Sequence, residues 1–282
     1  MWTRKLLKDN AKVAFRRNYW LCVIVSLLAM LLGTTGSGGS SVEFNNDETD
    51  TIIDTGYYSD SYNEEYYGDL DVYDEEDADM MNDILTFIAS PIFIITALVI
   101  FILGLAFAVL ISNVVNVGHK RFYLENREYK SQVTRLFYAF GEGRYGSTVW
   151  TMFCRDLYIF AWTLLLIVPG IIKAYAYMMV PYILAENPDI GNDRAHEISK
   201  EMMDGHKWDA FVLGLSFFGW DLLAAITGGI VGIFWVTPYT DATFTEFYVA
   251  LKAEAFQKGI TNEIELPGVR QPEAAEGFAE QF

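Results

Sequence analysis

Six ionisable residues stand inside or at the edges of apolar stretches of this chain: Arg155, Asp156, Lys173, Asp221, Asp241 and Glu246. A charge in hydrocarbon costs several kcal/mol unless it is paired or wet, so such residues mark either a polar path for an ion or small solute, or ion pairs between helices. Asp241 and Glu246 share their segment with Thr237, Thr240, Thr243 and Thr245, which makes it the most polar of the set. All six lie toward the ends of their segments and not at the middle. That placement favours structural pairs over a path.

Other chemistries find little support. The three histidines, His119, His196 and His206, are not at metal spacing with another His or Cys, and His196-Glu197 lacks the second His of a zincin helix. All three read as surface or interfacial residues, and no metal or cofactor is expected. Gly36, Gly38 and Gly39 lack the Lys-Ser/Thr of a phosphate loop and read as a flexible linker. Asp69-x-Asp71 begins like a calcium loop, but Tyr73 replaces the third ligand and Asp74 the turn glycine. Cys22 and Cys154 read as small packing residues and not as a disulfide. No nucleophile is paired with a base. Catalytic residues are therefore not expected.

The elements that carry these residues are membrane spans. Apolar residues make up 52% of 282 positions, and 84–117 supplies 34 consecutive positions without a charge. About 20 apolar residues suffice to cross a bilayer. The net charge of −17 comes from one insert: residues 41–83 hold sixteen Asp and Glu and no Lys or Arg. Basic residues mark the cytoplasmic side, so this insert belongs outside. It reads as a disordered extracellular loop; its six tyrosines (57, 58, 62, 66, 67 and 73) and its carboxylates leave a weak cation or partner site as the alternative.

Six spans follow, at 19–35, 91–117, 148–168, 171–185, 208–226 and 230–250, arranged as three hairpins with both termini cytoplasmic. The first reads as an uncleaved span and not as a signal peptide, since no Ala-x-Ala site follows. Turns fall at Pro169-Gly170 and Thr227-Gly228-Gly229. Segments 119–147 and 187–207 are cytoplasmic and helical, and 257–282 forms a cytoplasmic tail. Of the 20 Lys and Arg, only Lys173 falls in an outer half of the membrane. An amphipathic helix precedes the first span, with Leu6, Leu7, Asn10, Val13 and Ala14 on one side. Trp20, Trp150 and Trp208 read as interfacial anchors.

A shift of 58 positions aligns Trp150 with Trp208, Phe153 with Phe211, Leu157 with Leu215, Phe160 with Phe218, Trp162 with Trp220 and Gly170 with Gly228. This is an internal repeat of span, glycine turn and span. Asp221 takes the position held by Thr163 in the other copy, an asymmetry that a partner charge would explain. Lys173 and Asp221 lie about 5 and 10 Å from their respective outer turns, so they are expected to form an ion pair between the second and third hairpins.

Met1-Trp-Thr-Arg-Lys, Phe15-Arg-Arg-Asn-Tyr-Trp20, Gly143-Arg-Tyr-Gly146, Pro169-Gly-Ile-Ile-Lys-Ala-Tyr175 and Met203-Asp-Gly-His-Lys-Trp-Asp-Ala-Phe211 resemble the bacterial membrane family catalogued as domain of unknown function 975. The resemblance covers nearly the whole chain except the acidic insert. It implies an all-α multi-pass protein of the bacterial cytoplasmic membrane, with no catalytic residue to carry over.

Three functions are compatible with these features. A structural, scaffold or accessory protein of the membrane comes first, with the lipid bilayer and an unidentified membrane protein as partners and no role for nucleic acid. A small-solute or ion transporter using the polar residues of spans three, five and six comes second. An intramembrane enzyme comes third.

Overall fold

A computed structural model describes residues 2–33, 80, 86–88, 90–141 and 143–269. Nearly all of the acidic insert and the tail beyond Val269 lie outside the described residues, as do the linker glycines and the candidate calcium loop. Among the described residues every regular element is helical. The chain divides into two units, one of Met1–Val42 with Ala106–Phe282 and one of Glu43–Leu105.

In the smaller unit Ser90 Oγ accepts the Phe93 N–H at 3.2 Å and starts helix α1 of this description, Pro91–Phe107. Ser at the cap and Pro in the first turn are the usual start signals of a helix. It bears no charge and buries no residue. Ile92, Ile95, Ile100, Phe101 and Leu103 are all exposed. An apolar surface of this extent calls for lipid or a partner.

The larger unit opens with α2, Arg4–Arg17, capped where Thr3 Oγ1 accepts the Leu6 N–H. Its buried side chains are Leu7, Ala11, Ala14 and Phe15, the i, i+4, i+7, i+8 spacing of one helical stripe. Leu6 and Val13 are exposed, so the buried face is rotated from the one expected. Phe15 decides the rotation by wedging edge-on against Trp235. The backbone breaks at Asn18, and α3, Tyr19–Leu31, leaves at 98° to α2.

A π-helical segment, Ala108–Ser112, leads into α4, Asn113–Glu128. A 3₁₀ helix, Val133–Phe140, folds back on it. Then come α5 (Tyr145–Leu165), α6 (Ile167–Ala176), α7 (Val180–Glu186) and α8 (Asn192–Met202). The chain continues through α9 (Lys207–Leu215), α10 (Phe218–Ile226), a second π segment (Gly232–Val236) and α11 (Thr237–Lys258). The core lies where α4, α7 and α11 meet, with α2 packed along α11. Gly259, at φ +68°, ends α11, and Ile260 N–H donates to Ala255 O. The chain then returns to bury Leu266 and Val269, so this part of the tail is a strap on the core.

Among the described residues three helical stretches, Pro91–Glu128, Ile167–Glu186 and Lys207–Ile226, are long and apolar enough to cross a membrane. The bent pair α2–α3 adds a fourth if it is counted as one span. Helix α5 is not among them, since Arg155 and Asp156 interrupt it. Neither is α11, which buries thirteen residues inside the protein, Asp241 and Glu246 among them. The turn expected at Pro169-Gly170 is displaced. The chain extends at Leu166 (φ −157°, ψ 137°), and Pro169 falls in the first turn of α6, where a missing N–H costs nothing. Gly170 lies against Thr163, and a Cβ there would collide with it.

The two copies of the sequence repeat also fold differently. Helix α5 runs unbroken, whereas α9 and α10 are separated at Ser216-Phe217. Gly228 makes a turn at φ +60° while Gly170 is helical.

Gly118 sets the distance between α4 and the 3₁₀ helix, because a Cβ there would overlap the backbone carbonyl of Leu136. Backbone cannot rotate out of the way as a side chain can. Gly118→Ala is therefore expected to cost at least about 1–3 kcal/mol, the range for overpacked sites. The check is a lowered melting temperature of the purified protein, with Gly104→Ala, which has open space around it, unchanged.

Candidate functional site

Asp241 sits at the centre of the core with its side chain 2% exposed. Lys120 Nζ donates to its Oδ1 at 3.1 Å, and this lysine is equally buried. His119 Nε2 stands 3.4 Å from Oδ2. Helix geometry explains the arrangement: His119 and Lys120 are consecutive on α4, which crosses α11 here, so they straddle one carboxylate. Lys120 also lies 5.3 Å from the centre of the Tyr182 ring on α7, and Tyr182 stacks on Tyr248 of α11. His119 packs edge-on to Tyr123, whose hydroxyl meets Ser26 Oγ of α3 at 2.8 Å. One carboxylate thus joins two helices directly, a third through Lys120 and a fourth through His119 and Tyr123.

Further pairs continue along α4. Arg127 Nε donates to Glu246 Oε1 at 2.8 Å, and Asn10 of α2 approaches the other oxygen at 3.5 Å. Glu125 receives Arg121 at 2.8 Å, Arg135 at 3.0 Å and Ser131 at 3.1 Å. Arg121 reaches on to Ala185 O of α7. Glu186 accepts from Lys252 and from the backbone N–H of Gly268, which holds the strap down. Asn126 Nδ2 donates to Ala14 O at 2.9 Å and ties α4 to α2.

Of the six residues singled out from sequence, Asp241 and Glu246 enter this network. Arg155 and Asp156 pair with each other at 2.6 Å, and Asp156 Oδ2 accepts from Asn113 at the start of α4. The expected Lys173–Asp221 pair does not form. Lys173 Nζ lies over the rings of Trp162 and Tyr177 at 5.0 and 5.8 Å. Asp221 belongs to α10, which packs on the second π segment and not on α6. Among the described residues it has no ion-pair partner. Trp20, Trp150 and Trp208 are 67%, 60% and 71% exposed, each near the start of its helix.

His119 and His196 are buried, contrary to the surface reading. His206 is half-buried between Asp209 and Glu254, both at 3.2 Å, beside the Trp2 ring. No three of His, Cys, Asp and Glu gather to hold a metal among the described residues. Sequence reading missed His119 and Lys120 as partners of Asp241. The available signal was the acid itself: an Asp among threonines in a greasy segment demands a cation, and 119–121 is a basic run just past the end of an apolar segment.

The profile of a family described as protein of unknown function (DUF975) matches residues 80–255. The chain belongs to this family. No curated protein and no solved structure matches it. The DUF975 match contains α4, α7 and most of α11, and with them Asp241, Lys120, His119 and Tyr182, while α2 and α3, which supply Asn10 and Ser26, lie outside.

The Asp241–Lys120 pair is the first test of this DUF975 core. Removing one partner of a buried pair strands a charge and costs about 3–5 kcal/mol, whereas replacing both by apolar groups is often neutral. Asp241→Asn is expected to lower the melting temperature sharply, and Lys120→Met with Asp241→Leu to restore most of the loss. A second test concerns His196 of α8. Burial lowers its pKa from 6.5, its bond to Asn192 O opposes this, Arg155 reinforces the burial, and Asp193 opposes it. Folding therefore expels a proton, and the contribution is complete above about pH 6.5 and is lost as pH falls toward the lowered native value. Melting temperatures from pH 7.5 to 5 should fall more steeply for the wild type than for His196→Gln.

Proposed function

We propose that this DUF975 protein is a structural or accessory component of the bacterial cytoplasmic membrane. It would cross the bilayer six times, with its termini inside and its acidic insert outside. The observation that carries the functional reading is the pairing of the polar groups of α11: Asp241 and Glu246, the residues best suited to line a path, are engaged by Lys120, His119 and Arg127. Groups consumed this way hold helices in register and are not available to a solute. The cavities at Trp2–Glu254 and at Tyr158–Glu201 open on the surface and not along these charges. The right angle between α2 and α3 supports a helix lying along the inner leaflet, with Arg4, Lys5, Lys12 and Arg16 exposed. Basic residues near anionic headgroups gain about 1 kcal/mol each.

A transporter is the second reading, and one observation favours it. Both helices of the central ion pair are preceded by π-helical turns, Ala108–Ser112 before α4 and Gly232–Val236 before α11. Such turns recur at functional sites. In-cell crosslinking followed by affinity purification separates the two: a defined stoichiometric membrane-protein partner supports the accessory role. Ion or proton flux in proteoliposomes that is lost in Lys120→Met with Asp241→Leu would replace it. For the topology, alkaline phosphatase fused at Asn63 is expected to be active and at Asn192 inactive; the reverse pattern would overturn the orientation.

A further inference from the structure

Helix α8 presents Asp193, Glu197 and Glu201 on one exposed stripe, spaced four residues apart. They line an open cavity of about 600 Å³ with Tyr158, Tyr177 and His196. The three rings form a tight group. His196 is edge-on to Tyr158 at 5.5 Å and to Tyr177 at 5.1 Å, and the tyrosines are 6.1 Å apart.

The imidazole is the unusual member. It is 7% exposed, and its Nδ1 lies 2.7 Å from Asn192 O. A carbonyl oxygen only accepts, so Nδ1 carries the hydrogen and the neutral ring keeps its lone pair on Nε2. That atom has no hydrogen-bond partner among the described residues. An unsatisfied buried acceptor is destabilising. Here it lies across the ring from the bond to Asn192, in an imidazole flanked by the two tyrosine rings. Three carboxylates outnumber the two cations, Arg194 and Lys200, on this lining, so the cavity suits a cation that can donate a hydrogen bond. Arg194 is not that cation, because it is held by Glu197, Glu265 and Ile260 O.

We propose that the cavity beside His196 binds a ligand with an N–H-bearing ammonium group. The carboxylates of Asp193 and Glu201 supply the charge, Glu197 being paired with Arg194, the tyrosine faces supply cation–π contact, and His196 Nε2 accepts the N–H. Tyr158, 45% exposed, swings aside to admit it. A quaternary ammonium cannot donate and is discriminated against. Two sources share this chemistry: a free polyamine, or the headgroup of an aminophospholipid, whose phosphate would meet Lys200 on the same wall. The lipid source rests on the membrane reading above, and the polyamine does not.

The full chain is tested in two arms. Spermidine is titrated by calorimetry onto protein in phosphatidylcholine nanodiscs. Protein extracted from equal phosphatidylcholine and phosphatidylethanolamine is weighed by native mass spectrometry for retained lipid. The acidic insert also attracts spermidine, so the reading is the difference between wild type and variants that share it. Asp193→Asn with Glu201→Gln, at exposed positions, and His196→Phe, which keeps an aromatic ring between the tyrosines, are each expected to weaken binding at least tenfold. Melting curves confirm that the variants fold. A loss confined to spermidine assigns the soluble amine, and a loss confined to phosphatidylethanolamine assigns the headgroup. Variants that bind both probes like the wild type, or equal retention of the two lipids without spermidine binding, would overturn the proposal.

Discussion

The carboxylate of Asp241 sets the terms on which the last helix is buried. Helix α11 is packed on nearly every side, by α2, α3, α4 and α8, yet its sequence is rich in threonine and acid. A buried polar group must find a partner or pay its desolvation in full. Thr243 and Thr245 solve this locally, each donating to the carbonyl four residues earlier. Asp241 has no local solution. Lys120 and His119 on α4 provide it, and by doing so they determine which turn of α4 faces which turn of α11.

Apolar contact alone would not specify that register. Two greasy helices can slide by a turn at small cost, whereas a buried acid and base have one alignment in which neither is stranded. Arg127 with Glu246 lies further along α4 toward its end and repeats the constraint, and Asn126 with Ala14 O adds α2 to it. Such pairs are weak evidence for stability and stronger evidence for a unique arrangement. The glycine contact at Leu136 then brings the 3₁₀ helix close enough for Arg135 to reach Glu125.

The all-helical character, the apolar run through Val117, the amphipathic first helix and the odd placement of Asp241 and Glu246 were legible in sequence, because composition and charge in a greasy segment are local signals. The partners were not. His119 and Lys120 look like a cytoplasmic basic run, and only the crossing of α4 with α11, about 120 positions apart in the chain, turns them inward. Pro169-Gly170 misled for a different reason. Both residues signal turns, but Pro is also accepted in a first helical turn and Gly also permits close packing, and the structure uses the second property of each. The Lys173–Asp221 pair was read from depth below the two turns alone, and depth does not tell which helix a side chain faces: Lys173 lies over Trp162, and α10 packs on the second π segment.

Burying α2 against α11 has a consequence for biosynthesis. Roughly 220 residues separate Arg17 from Thr237, and a ribosome adding about 5–20 residues per second makes the second long after the first. For tens of seconds Leu7, Ala11, Ala14 and Phe15 lack the helix along which they pack, with only α4 to cover part of the stripe. Completion of α11 is then the event that covers the rest of that stripe and closes the fold.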